Sequence, residues 1–172
     1  RYFSSYYQRQ IRIVYTCAME IEGLQKLIRY VVADTSRLKD KHTGEAEAPV
    51  NYACLFAHSQ EEYDALLGAV AKLGSVIKET PTGPLFRIEP LETVSGPLQL
   101  VKVRKPDETR LERGDADFSV SDYPAFKKRV LEKPGFKLIE REEMEMIELM
   151  DPEFDVRAYF SHPPLDQQLG LV

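Results

Sequence analysis

The 172-residue chain has no tryptophan, two cysteines and three histidines. It also lacks any apolar run near the roughly 20 residues that a membrane-spanning helix needs. Cys17 and Cys54 supply neither a disulfide framework nor a zinc knuckle, as expected of a protein of the reducing cytoplasm. His42, His58 and His162 form no His-x-His or His-x-x-x-His pair, which argues against a histidine-rich metal site. Basic residues are in deficit, 23 against 28 acidic, for a net charge of −5, so neither nucleic acid nor an anionic membrane is the expected partner. A phosphate-cradling glycine loop is missing too, because Pro81-Thr82-Gly83-Pro84 has only the spacing of a turn. Ser119 lacks the flanking glycines of a nucleophile elbow and a nearby histidine, which leaves serine hydrolysis without support.

What is present reads as a globular chain, with 43% hydrophobic and 30% charged residues. The first residue is Arg1 rather than Met, read here as a processed or trimmed start. Aromatic and basic residues run from Tyr2 to Arg12. They suit either a stacking platform for single strands or an arm packing its tyrosines on the body, and the second is favoured. From Met19, residues Ile21, Leu24, Ile28, Val31 and Val32 recur at helical spacing and predict a helix over about 19–33. The polar stretch from Asp34 to Pro49 is the expected linker, which places a helical segment and linker at 1–48.

The remainder reads as two copies of one βαβββ unit, at 49–110 and 111–172, folding together. In the first, Asn51–Ala57 is strand-like, and Ser59-Gln60-Glu61-Glu62 fits a capping box. Tyr63, Leu66, Leu67 and Val70 then share a helical face, and Gly74 is expected to stop the helix. Three extended runs follow, Val76–Thr80, Pro84–Glu89 and Leu98–Val103. The second copy opens with Asp115–Val120, and Asp122 caps a helix with Pro124 in its first turn. Its runs are Phe136–Arg141, Met144–Met150 and Asp155–Phe160. The expected fold is therefore α+β: a curved mixed sheet with helices outside and a cup inside, preceded by the N-terminal helical segment.

Strand alternation sorts the side chains. Ala116, Phe118 and Val120 should pack beneath a helix, which sends Asp115, Asp117 and Ser119 to the cup. Tyr52 is placed there as well, opposite the small Ala53. Met144–Met150 admits either register; if its methionines line the cup, Glu148 joins them. Converging Asp115, Asp117 and Glu148 could bind Mg²⁺, Mn²⁺ or Ca²⁺, or raise one another's pKa, while the plainer alternative pairs Asp117 or Glu148 with Arg87, Arg157 or Lys102. Cys54 and His58 stand about 13 Å apart along an extended strand, so the cysteine reads as a small buried residue and the histidine as a capping or surface one.

Paired βαβββ modules around a cup resemble the vicinal oxygen chelate superfamily, which includes glyoxalases and extradiol dioxygenases, and within it the YecM-like branch. The resemblance spans about 50–160. It rests on Asn51-Tyr52-Ala53-Cys54, on Gly114-Asp115-Ala116-Asp117-Phe118 and on Val103-Arg104-Lys105-Pro106. It implies a divalent metal held from both modules, with the family's histidines falling at Tyr52 and Asp115 and its first-module glutamate at Gln99. None of these keeps the usual ligand type, so no metal cofactor is expected. The first expectation is a small-molecule-binding protein whose cup is lined by Tyr52, Gln99, Asp115, Asp117, Ser119 and Glu148. A lyase, isomerase or dioxygenase-like enzyme using a hard divalent ion is the alternative. A third reading is an interaction module whose aromatic arm or edge strands bind another chain, a homodimer being one form of it.

Overall fold

The computed structural model describes residues 19–172; the aromatic arm at the start of the chain lies outside the described residues. Helix α1 spans Ile21–Thr43, well beyond the expected end near residue 33. The stretch read as a linker keeps the helical period with polar residues: Thr35, Ser36, Lys39 and Thr43 are buried beside Leu38. Two of them satisfy their hydroxyls inside the helix, Thr35 donating to Val31 O at 2.6 Å and Thr43 to Lys39 O at 2.8 Å. Gly44, at φ 72°, closes the helix in the left-handed conformation glycine adopts without penalty. Only residues 44–49 therefore connect, and Lys39 anchors them by donating to Glu45 O at 2.5 Å and Ala46 O at 3.3 Å. His42, assigned to the linker, belongs to α1 and meets Asp151 at 2.8 Å.

From there the elements are β1 (Val50–Phe56), α2 (Gln60–Val70), β2 (Gly74–Lys78), β3 (Leu85–Thr93) and β4 (Gly96–Arg104). They continue with β5 (Gly114–Phe118), α3 (Tyr123–Val130), β6 (Phe136–Glu140), β7 (Glu145–Leu149), β8 (Val156–His162) and the short α4 (Leu165–Gln168). The capping box forms: Ser59 Oγ accepts from Glu62 N at 3.1 Å, and the Glu62 carboxylate accepts from His58 N at 2.8 Å, one residue before the cap. Asp122 caps α3 through Ala125 N at 3.0 Å, with a proline in the first turn. Gly74 does not end α2, which stops at Val70; it opens β2, where a Cβ would stand 2.0 Å from Arg87 O. Close backbone approach, rather than a left-handed turn, requires glycine there.

The strands make one curved, mixed, eight-stranded sheet in the order β2-β3-β4-β1-β5-β8-β7-β6. Within each half the first strand runs parallel to the last, β1 with β4 and β5 with β8, and the halves meet along antiparallel β1 and β5. Period-two alternation then divides the sheet into two faces. Ala53, Leu55, Val101, Val103, Ala116, Phe118, Ala158 and Phe160 form one hydrophobic core with Leu24, Ile28 and Val31 of α1, Leu66 of α2 and Phe126 of α3. Gly114 lies under α1, where an added Cβ would be 3.1 Å from Val31. The helices cover this face; the opposite face is the cup. No helix among the described residues is long and apolar enough to cross a membrane.

Candidate functional site

Register lays the central cup residues in two rows. The first crosses four adjacent strands as Lys102 (β4), Cys54 (β1), Asp115 (β5) and Arg157 (β8). The second holds Tyr52 (β1), Asp117 (β5), Tyr159 (β8) and Glu148 (β7). Tyr52, Asp115, Asp117 and Glu148 thus share the face that alternation assigned to them. In β7 the register is settled by Ile147 and Leu149, both fully buried in the core, which turns Met146 and Glu148 to the cup.

Two expected members lie outside these rows. Gln99 is exposed and lines a groove at the sheet edge with Ser75, Ile77, Arg87 and Ile88. It shares strand parity with the core residues Val101 and Val103, and β3 beside it is irregular between Arg87 and Leu91. Ser119 lies one residue past the end of β5, with its amide donated to Pro49 O at 3.0 Å and no side-chain hydrogen bond among the described residues. Sequence reasoning also left out residues that now stand at the site. Lys102, named only as a counter-ion, is a central member of the first row; Arg104 follows it on the same face of β4, and Arg110 comes from the β4–β5 connection. Alternation from Cys54 to Lys102 across parallel strands was the available signal for the lysine. No local pattern marks Arg110.

The carboxylates differ in what holds them. Glu148 accepts from Tyr159 Oη at 2.5 Å and from Arg157 at 3.2 Å, and Arg157 also meets Glu112 at 2.8 Å. Asp117 accepts from Ser161 N at 3.0 Å and from the Ser161 hydroxyl. Asp115 is buried, at 8% exposure, and its Oδ1 has no hydrogen-bond partner among the described residues. Burial, reinforced by the charge of Asp117, pushes the Asp115 carboxyl up to about 7, against the opposing pull of Lys102, Arg110 and Arg104. Burial likewise lifts Asp117 to about 6, opposed by the Ser161 hydrogen bonds. The Cys54 thiol is pushed far up by burial and then by Asp115, so it stays protonated, a poor nucleophile and a poor metal ligand. Desolvation lowers the ammonium of Lys102.

Chemically, the first row offers one carboxyl group, a protonated thiol and two cations. Lysine ammonium and guanidinium have no lone pair for a metal, and no imidazole stands in either row. Asp115 and Asp117 occupy alternate positions of one strand, while Glu148 is two strands away and engaged with Arg157 and Tyr159. Among the described residues, no three His, Cys, Asp or Glu side chains are grouped so as to hold a metal ion. The three carboxylates therefore do not converge as the hard-cation alternative required. What the site can do is hydrogen-bond a polar molecule and exchange a proton at Asp115 near neutrality.

No protein-family model and no curated protein matches the chain. Among solved structures it is similar to the structural-genomics protein EC4020, at 13% identity and a TM-score of 0.61, covering 84% of this chain and 92% of the other. A glyoxalase/bleomycin resistance protein/dioxygenase superfamily member from Vibrio splendidus 12B01 overlaps less, at 13% identity and a TM-score of 0.41 over 66% of this chain and 97% of that one. A triple mutant of 4-hydroxymandelate synthase from Streptomyces coelicolor gives 12% identity and a TM-score of 0.32, over 67% and 49% of the two chains. At such identities the likeness is one of fold.

Proposed function

We propose that the protein is a YecM-like relative of the vicinal oxygen chelate proteins whose cup binds a small molecule through its own side chains, without a transition metal. The motif resemblance at 51–54 and 114–118 and the paired βαβββ topology support the relationship. One observation carries the binding reading: a buried carboxylate oxygen of Asp115, at the centre of the cup, has no partner among the described residues. A buried polar atom left alone costs stability, and a ligand or water that satisfies it is the usual reason such an atom persists. The flanking Lys102 and Arg157 repel a cation at the place where the resemblance implies one.

Elemental analysis of the full chain purified without chelator tests this reading, together with thermal melting in Mg²⁺ and in Mn²⁺. The expected result is zinc, iron, manganese and nickel far below one per chain, and a melting temperature that neither ion changes. A stoichiometric transition metal lost in Asp115→Ala would overturn it. A second reading, catalysis with Asp115 as acid or base, is favoured by the placement of its pKa at about 7. In that case turnover would follow one ionisation near pH 7 and vanish in Asp115→Asn.

A further inference from the structure

Hydrogen-bond capacity in the cup is lopsided. Lys102 Nζ carries three N–H donors and among the described residues spends one, on Thr82 Oγ1 at 2.6 Å. Lys102 forms no ion pair among the described residues, although it sits two strands from Asp115 in the same row. Arg104 binds Asp107 at 2.9 Å through one terminal nitrogen, and its buried Nε has no hydrogen-bond partner among the described residues. Arg110 reaches Tyr159 Oη at 3.3 Å and approaches Glu148 only to 3.8 Å. All three cations act electrostatically on Asp115, yet none is in contact with it. The cup thus has several unspent donors around one unspent oxygen, and Arg157 is already engaged by two carboxylates.

We infer that the molecule taken by the cup is a small oxyanion-bearing compound, its anionic group held by Lys102, Arg104 and Arg110 and a second oxygen or a donor group facing Asp115. This deepens the metal-free binding reading and rests on it. An acceptor-rich anion satisfies the spare N–H groups, and each such bond to a charged donor is among the stronger kinds. A cationic ligand would meet three positive charges. The chemistry is shared by organic carboxylates and by phosphates. The net charge of −5 turns away extended polyanions, while a single small anion can be drawn to a local group of cations.

The test uses the full ¹⁵N-labelled chain in buffer free of phosphate and carboxylate, titrated separately with inorganic phosphate, oxalate, choline and urea. Saturable shifts at the amides of Cys54, Lys102 and Asp115 with phosphate or oxalate are expected, and which of the two binds tells a phosphate site from a carboxylate one. Lys102→Met should weaken that binding about tenfold, and Arg110→Gln should weaken it to a similar extent. Lys128→Met, on an exposed stretch of α3, should leave it unchanged. Thermal melts confirm that each variant is folded. Anion shifts that are absent, or equal in Lys102→Met, Arg110→Gln and the parent, would overturn the inference. Saturable occupation of the cup by choline or urea instead would also overturn it while leaving metal-free binding intact; a stoichiometric metal would remove the reading beneath both.

Discussion

The two faces of the sheet are built from the same strands and follow opposite rules. In β5, Ala116 and Phe118 go into a core shared with three helices, while Asp115 and Asp117 go to the cup between them. In β8, Ala158 and Phe160 alternate with Arg157, Tyr159 and Ser161 in the same way. The helix-covered face is satisfied mainly by packing, and its buried polar groups, Thr35, Thr43 and Lys39, find partners within α1 and the connection after it. The cup face is less hidden, with Asp115, Asp117 and Glu148 buried and Tyr52, Lys102 and Arg157 half-buried, and it is full of polar groups. Burial thus stabilises one face and strains the other, and the strain collects at Asp115. Structure that costs stability without serving the core is what a functional surface looks like.

Mutation should separate the faces sharply. Phe118→Ala, which removes a fully buried ring 6.2 Å from that of Phe160, should cost about 3–5 kcal/mol in urea unfolding. A loss under about 1 kcal/mol would mean the core side is loosely packed. On the cup side, Arg157→Met strips Glu148 and Glu112 of their shared counter-ion and should cost about 3 kcal/mol. Adding Glu148→Gln should recover part of that loss, and strict additivity would show that the two do not interact.

The third contrast is in pH. Asp115 holds its proton up to about 7 in the folded protein, against about 4 in the unfolded chain. Between these values the folded state carries the extra proton, so stability falls as pH rises and levels off above about 7. Asp117, raised to about 6, adds in the same direction. The loss between pH 5 and pH 8 should be about 4 kcal/mol, and Asp115→Asn should remove the larger part of it. Denaturant midpoints that rise over this range in the parent would contradict the assignment. Smallest is Ser59→Ala, which removes the cap from α2 and should cost about 1 kcal/mol without altering the pH profile.

Much of the architecture was legible because local signals agreed with it. Ser59, Asp122 and Pro124 mark helix starts by mechanisms that act within a turn, and alternation in β1, β5 and β8 separates apolar from polar positions. The far half of α1 was not legible, since Thr35, Ser36 and Lys39 look like surface residues until one sees that Thr35 and Lys39 bond back to the helix or its connection and that Ser36 accepts from the Ser95 hydroxyl at 3.1 Å. Gln99 was misplaced because a strand irregularity and a choice of face are tertiary facts. At the site, the face of Asp115 and Asp117 could be read from period alone, and Glu148 once the β7 register was chosen. The engagement of Glu148 with Arg157 and Tyr159, and the gathering of Lys102 and Arg110 near Asp115, depend on strand order and register across the sheet.

The most direct measurement is a carbon-13 NMR titration of the Asp115 side-chain carboxyl in the intact, ligand-free chain. A midpoint near 7 is expected for a buried acid with an unpartnered oxygen and cations that stand near without touching it. A midpoint at or below the ordinary value of about 4 would show the carboxylate paired or solvated, and would contradict the account of the cup as a face with bonding capacity to spare.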